Sequence, residues 1–181
     1  MRIAALVMVS AMVASSALAR LGETVEQVEK RYGSPCMLPS EGMRPVRTNE
    51  VDNTVHRTYR KGGIDISAIF FPRKSGASVV GSIEYLLTDD VTNRIEVIQK
   101  LLEANANGEV WEKVKTDQYP NHAYRMNGAI AEVRTLVVTY SQFRDNDLLV
   151  TSDEYKEYIK EAEAAHERKK AEALKKEQEG F

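Results

Sequence analysis

Leu21, Val25, Val28 and Tyr32 follow one another at steps of four, three and four, which lines one face of an α-helix. Thr24 and Gln27 stand at capping-box spacing, and Gly33 followed by Pro35 ends the pattern. A loop is expected up to about Val55. The pattern then changes period. Strands are predicted over His56–Arg60, Ile64–Phe71 and Val79–Thr88, with turns at Gly62-Gly63 and Ser75-Gly76. In the middle strand Ile64, Ile66 and Phe70 interleave with Asp65 and Ser67, so one face is apolar and the other partly wet.

The same design recurs. Val91, Ile95, Ile98 and Leu102 repeat the helical steps, Asp89 or Asp90 is placed to cap the start, and Asn107-Gly108 stops the run. Strands are predicted again over Val110–Lys115, His122–Met126 and Ala129–Tyr140, with Asn127-Gly128 as a strong hairpin signal. Tyr59-Arg60-Lys61-Gly62-Gly63-Ile64 also resembles Tyr124-Arg125-Met126-Asn127-Gly128-Ala129-Ile130, with one insertion. The fold class expected is α+β, with two helix-then-antiparallel-meander units over residues 20–88 and 89–150 packed as one domain spanning 20–152. One continuous sheet with both helices on one face would bury both stripes, although the pattern alone does not choose between one sheet and two.

From about Ser152 the character shifts. The last thirty residues hold nine acidic and seven basic side chains and no proline. Residues 153–181 are therefore read as a charged C-terminal helix that docks through Tyr155, Ile159 and Ala162. Beyond Ala165 it is expected to be solvated and supported by close opposite charges such as Glu172 and Lys176.

At the other end, Arg2, the apolar run Ile3–Ala14 and Ala17-Leu18-Ala19 have the layout of a secretory signal peptide cut after residue 19. The run is shorter than the roughly 20 apolar residues a permanent span needs. The expected product, Arg20 to Phe181, is exported to the periplasm or beyond the cell, and no other stretch reaches membrane length. Loss of Arg2 leaves 24 basic and 27 acidic residues, a net charge of −3 against −2 for the whole chain. That balance argues against a phosphate-backbone binder, and 43% hydrophobic residues argue against disorder. Cys36 is the only cysteine, so no intramolecular disulfide exists. Pro35, Met37 and Leu38 around it favour a small buried apolar role over a reactive thiol.

Candidate chemistry is sparse. His56, His122 and His166 have no metal-ligand spacing, and no nucleophile elbow, phosphate loop or dinucleotide motif is present. Neither metal nor cofactor is expected. Asp145-Asn146-Asp147 begins like a calcium loop, but Val150 and Lys156 stand where glycine and glutamate belong, so a polar turn before the last strand is the better reading. Asp89-Asp90 reads as a helix cap rather than an acid–base pair. His122 near Tyr119, Tyr124 and Asp117 is a candidate pocket. Trp111, Tyr119, His122 and Tyr124 form the candidate binding surface, although Trp111 is more readily placed between helix and sheet.

The run Leu21-Gly22-Glu23-Thr24-Val25-Glu26-Gln27-Val28-Glu29-Lys30-Arg31-Tyr32-Gly33-Ser34-Pro35 resembles the opening of a group of small exported bacterial proteins of unknown function. Leu101-Leu102-Glu103-Ala104-Asn105 leading to Trp111, and the later Asn127-Gly128-Ala129 hairpin, extend the likeness over roughly residues 20 to 152. The helix-Gly-x-Pro opening also resembles SmpA/OmlA-type envelope lipoproteins and the tandem α/β architecture of beta-lactamase-inhibitor-like modules. The chain departs from the SmpA type in lacking a lipidated cysteine. The resemblance implies an envelope setting, and fold likeness alone does not carry a function.

These features point to a non-catalytic binding or interaction module of the cell envelope with an envelope protein as partner. Two alternatives stand beside it. One is an envelope structural protein acting through its charged tail, and the other is an enzyme of unrecognised type using His122 with nearby acids.

Overall fold

The computed structural model describes residues 20–38, 44–106, 108–114, 123–126, 128–139 and 142–179. Residues 1–19, the expected leader, and residues 115–122 lie outside them.

Helix α1 (Val25–Tyr32) begins at the predicted capping box. The Thr24 hydroxyl accepts from the Gln27 N–H, and the Gln27 side chain accepts from the Thr24 N–H at 2.8 Å. Gly33 ends the helix at φ 84°, a left-handed conformation that glycine adopts without strain. Four strands follow: β1 (Val46–Thr48), β2 (Val55–Lys61), β3 (Ile64–Pro72) and β4 (Ser78–Leu87). The expected loop before Val55 thus contains a strand, β1, which pairs with Val55–Arg57 of β2. Three residues with one inward side chain are too short to show a period in the sequence.

Helix α2 (Arg94–Ala106) starts later than its apolar spacing suggests. Asn93, not Asp89 or Asp90, precedes it. Its carbonyl accepts from Val97 N–H at 3.1 Å and its side-chain amide donates to Glu96. Val91 accordingly lies in the preceding turn, and Ile95 faces water at 69% exposure. The buried face is instead Ile98, Leu101, Leu102 and Asn105. Strands β5 (Glu112–Val114), β6 (Ala123–Met126), β7 (Ala129–Thr139) and β8 (Gln142–Ser152) complete the second half, and α3 (Asp153–Glu179) runs on from β8.

All eight strands form one antiparallel sheet in the order β1-β2-β3-β4-β8-β7-β6-β5. Each half is a helix followed by a four-stranded meander, and the last strands of the two meet at the centre, Ser82–Leu86 against Asp147–Thr151. The glycine hairpins stand at equivalent places, with Lys61 paired to Ile64 and Met126 to Ala129. Gly63 and Gly128 have φ of 76° and 75°, which the primed two-residue turn demands.

Val28 of α1 and Ile98, Leu101 and Leu102 of α2 share one buried cluster with Tyr59, Ile66, Phe70, Ile83, Tyr85, Leu148 and Val150 of the sheet. Both helices therefore cover the same face. Phe71, next to Phe70, points to the other face, because side chains alternate along a strand. There the start of α3 covers it, with the Tyr155 and Tyr158 rings at 5.7 and 5.4 Å.

The expected polar turn at Asp145-Asn146-Asp147 is instead part of β8. Arg134 pairs with Asp147 and Thr135 with Asp145, so Asn146 is the extra residue of a β-bulge. A bulge satisfies the same preference for polar residues without turning the chain, so composition does not separate the two.

Candidate functional site

Tyr119 and His122 of the candidate surface, with Asp117, lie outside the described residues. Trp111 and Tyr124 are placed, and both pack against the main core cluster. The Trp111 indole N–H donates to the Leu102 carbonyl of α2 at 2.7 Å, tying the chain before β5 to the helix above it. Its ring is thus a half-buried wedge between helix and sheet. Asp89 is exposed and lies 3.5 Å from Arg94.

Arg60 and Arg125 occupy equivalent hairpin positions but use different partners. Arg60 bonds Asp65 across its own hairpin at 2.5 and 2.8 Å, and this contact raises the pKa of its guanidinium. Arg125 faces Ile130 across its hairpin, and its guanidinium bonds Asp153 of α3 at 2.8 Å.

A concave surface that the sequence did not single out lies where α3 crosses the outer face of the first meander. The loop between β1 and β2 builds one wall. Asp52 accepts from the Thr54 N–H at 2.9 Å, the Thr54 hydroxyl at 2.7 Å and the Asn49 amide at 2.9 Å, while Asn53 takes φ 55°. Asp52 and Thr54 are buried, so this loop is a bonded unit. The Tyr158 hydroxyl of α3 donates to the Asp52 carbonyl and fastens helix to loop. Between them opens a cleft of about 350 Å³ lined by Arg47, Asp52, Thr54, His56, Ile69 and Tyr155.

His56 is bonded on both ring nitrogens, to the Arg47 guanidinium through Nδ1 and to the Ser67 hydroxyl through Nε2. Arginine only donates, so Nδ1 accepts from it, and the imidazole links β1, β2 and β3 on the outer face of the sheet.

On the other flank of α3 a groove of about 490 Å³ has Phe71, Pro72 and Tyr158 as its apolar lining and Arg73, Glu157 and Glu161 among its charged walls. Arg73 grips Glu154 through two guanidinium nitrogens, Nε at 3.0 Å and a terminal nitrogen at 2.5 Å. Burial pushes the Tyr155 phenol up to about 12, and the Asp52 carboxylate adds to that shift. Tyr158 is raised for the same two reasons.

Two signals for this surface existed in the sequence. Asn49-x-x-Asp52-Asn53-Thr54 is a polar turn signature, and Phe70-Phe71 places an aromatic ring on each face of a strand, so the outer one needs a cover. Cys36 is a half-buried free thiol whose backbone is bound at both ends to Thr58. Among the described residues no three histidine, cysteine or acidic side chains converge on a metal-sized site. No helix among them is long and apolar enough to cross a membrane.

No protein-family model matches the chain, and no curated protein does. Among solved structures, the chain is similar to a DUF4309 family protein (YjgB) from Bacillus subtilis subsp. subtilis str. 168. The identity is 18%, with 72% of this chain and 79% of that chain covered and a TM-score of 0.34.

Proposed function

We propose that the protein is an exported, non-catalytic interaction module of the cell envelope that meets a protein partner through the exposed part of α3 and the clefts at its base. The observation that carries this reading is the division within α3. Its first half docks on the sheet through Tyr155 and Tyr158 and is half-buried at Ile159, Ala162 and Ala165, whereas residues 166–178 are exposed throughout. That exposed portion is about 20 Å long at the α-helical rise. A helix with no packed face contributes nothing to the core; close opposite charges along it hold the helix and leave its surface available for contact. Leu174, 51% exposed, is the large apolar side chain on it, set among Lys169, Lys170, Lys175 and Lys176. The leader-like N-terminus supports export.

The division of α3 also dictates the test. Removal of everything after Thr151 would strip Phe71 of its cover and confuse misfolding with lost binding. Truncation after Ala165 leaves the docked half in place. In-cell cross-linking read by mass spectrometry is expected to show a partner for the full chain that disappears on truncation, with the melting temperature unchanged. An unchanged set of cross-linked proteins would overturn the reading.

A further inference from the structure

Arg20, the first residue after the expected cleavage point, turns its backbone N–H onto the Glu23 carboxylate, 3.1 Å from nitrogen to Oε2. The other oxygen of that carboxylate receives the Arg31 guanidinium. The Glu23 side chain is only 13% exposed, so this is a sheltered acceptor rather than a surface one. The sheet fixes its position. Gly22 N–H donates to the Val80 carbonyl at 2.8 Å, Val80 N–H donates back to the Glu23 carbonyl at 2.9 Å, and Thr24 bridges to Val79. The nitrogen of residue 20 is therefore held in place by the pairing of residues 22–24 with β4 and by the Glu23 side chain.

Hydrolysis of the Ala19–Arg20 peptide bond by a signal peptidase consumes one water. It leaves a carboxylate on Ala19 and an amine on Arg20, which is protonated at neutral pH. The neutral donor facing Glu23 becomes a cationic one in the same place, and a charge-assisted hydrogen bond is roughly twice as strong as a neutral one. We propose that the Glu23 carboxylate is a built receiving site for the α-ammonium that leader removal creates on Arg20, so that processing itself tightens the start of the fold. This rests on the export reading above. Among the described residues, Glu23 and Arg31 from the α1 segment and the Arg20 guanidinium stand at the new terminus, and the buried Tyr85 phenol of β4 feels Tyr32, Glu23 and Arg31.

The test compares purified protein beginning at Arg20 with protein beginning at Ser16, each with and without Glu23→Gln, by equilibrium denaturation. The Arg20 form is expected to have an unfolding constant about fivefold smaller, the difference between a charged and a neutral hydrogen bond. Glu23→Gln is expected to abolish that gap. N-terminal acetylation of the Arg20 form, which removes the charge and keeps the N–H, is expected to do the same without any substitution. Equal stability of the two forms, or a gap that survives both acetylation and Glu23→Gln, overturns the receiving site. The mass of the protein recovered from cells decides the processing step separately: a mature chain of Arg20–Phe181 is expected, and any other start overturns cleavage at this bond whatever the denaturation data show.

Discussion

Gly81 and Tyr155 touch where α3 meets the sheet: a Cβ placed on Gly81 would stand 2.6 Å from the Tyr155 Cβ and 2.6 Å from Phe71 Cδ1. Gly81 is the extra residue of a bulge, since Phe70 pairs with Val80 and Ile69 with Ser82. The bulge and the missing side chain together let the first turn of α3 lie flat on β4, where Ser152 Oγ bonds the Gly81 carbonyl and caps Tyr155 N–H.

Gly81→Ala is therefore expected to lift the start of α3 and cost about 1–3 kcal/mol, the usual range for overpacking. Denaturation should show the loss, and limited proteolysis should release a C-terminal fragment earlier than in the wild type. Gly76→Ala, in a turn with open space around it but φ of 89°, should be a milder backbone change that leaves α3 protected.

Alkaline pH should expose the buried tyrosines. Burial raises the Tyr59 phenol to about 12 against the opposing pull of Arg57, whereas an unfolded tyrosine titrates near 10. The folded state then holds a proton that the unfolded state has released, so stability falls as pH rises from 10 through 12. Tyr59 is fully buried, and its share of that fall is up to about 2.7 kcal/mol at two pH units of separation. Denaturation of Tyr59→Phe across this range should show a shallower decline. An identical slope for both proteins would remove Tyr59 as the cause.

Much of this architecture was legible because local chemistry and global fold agree. The Thr24–Gln27 box, the Gly62-Gly63 hairpin and the Phe70 side of β3 each follow from residue type and spacing. The misread parts are those where a long-range partner decides. Ile95 has the spacing of a core residue, but α2 starts at Arg94 and turns Leu101 and Asn105 inward instead. Asp65 alternates with apolar neighbours as a wet position should, yet it is 3% exposed because Arg60 reaches over it. The cleft around His56 depends on α3 crossing the meander from far along the chain, through contacts such as Tyr158 to Asp52 and Arg73 to Glu154. No spacing rule within either segment reveals that meeting.

The Arg60–Asp65 pair predicts an asymmetry. Asp65 is buried, whereas the Arg60 side chain is 43% exposed. Arg60→Met strands a buried carboxylate, while Asp65→Asn leaves a guanidinium free to turn toward water. Loss of one partner is most costly when the other stays buried and charged. Arg60→Met should therefore lower the denaturation midpoint more than Asp65→Asn does. The reverse ranking would show that the carboxylate has another support.

Beneath both helices, the Asn105 amide donates to the Tyr85 hydroxyl at 3.0 Å and to the Leu101 carbonyl at 2.8 Å, linking α2 to β4 inside the core. Both residues are almost fully buried, and burial pushes the Tyr85 phenol far above its ordinary value. Tyr85→Phe keeps the ring but leaves an amide hydrogen without its acceptor, a loss of about 1–3 kcal/mol. Asn105→Ala removes the donor and opens space beside the hydroxyl, so it should cost at least as much. Because the two side chains share one bond, the double variant should lose less than the two single losses added together. Additive losses in denaturation would mean that the bond contributes nothing between the helix and the sheet, and that Tyr85 and Asn105 act only through packing.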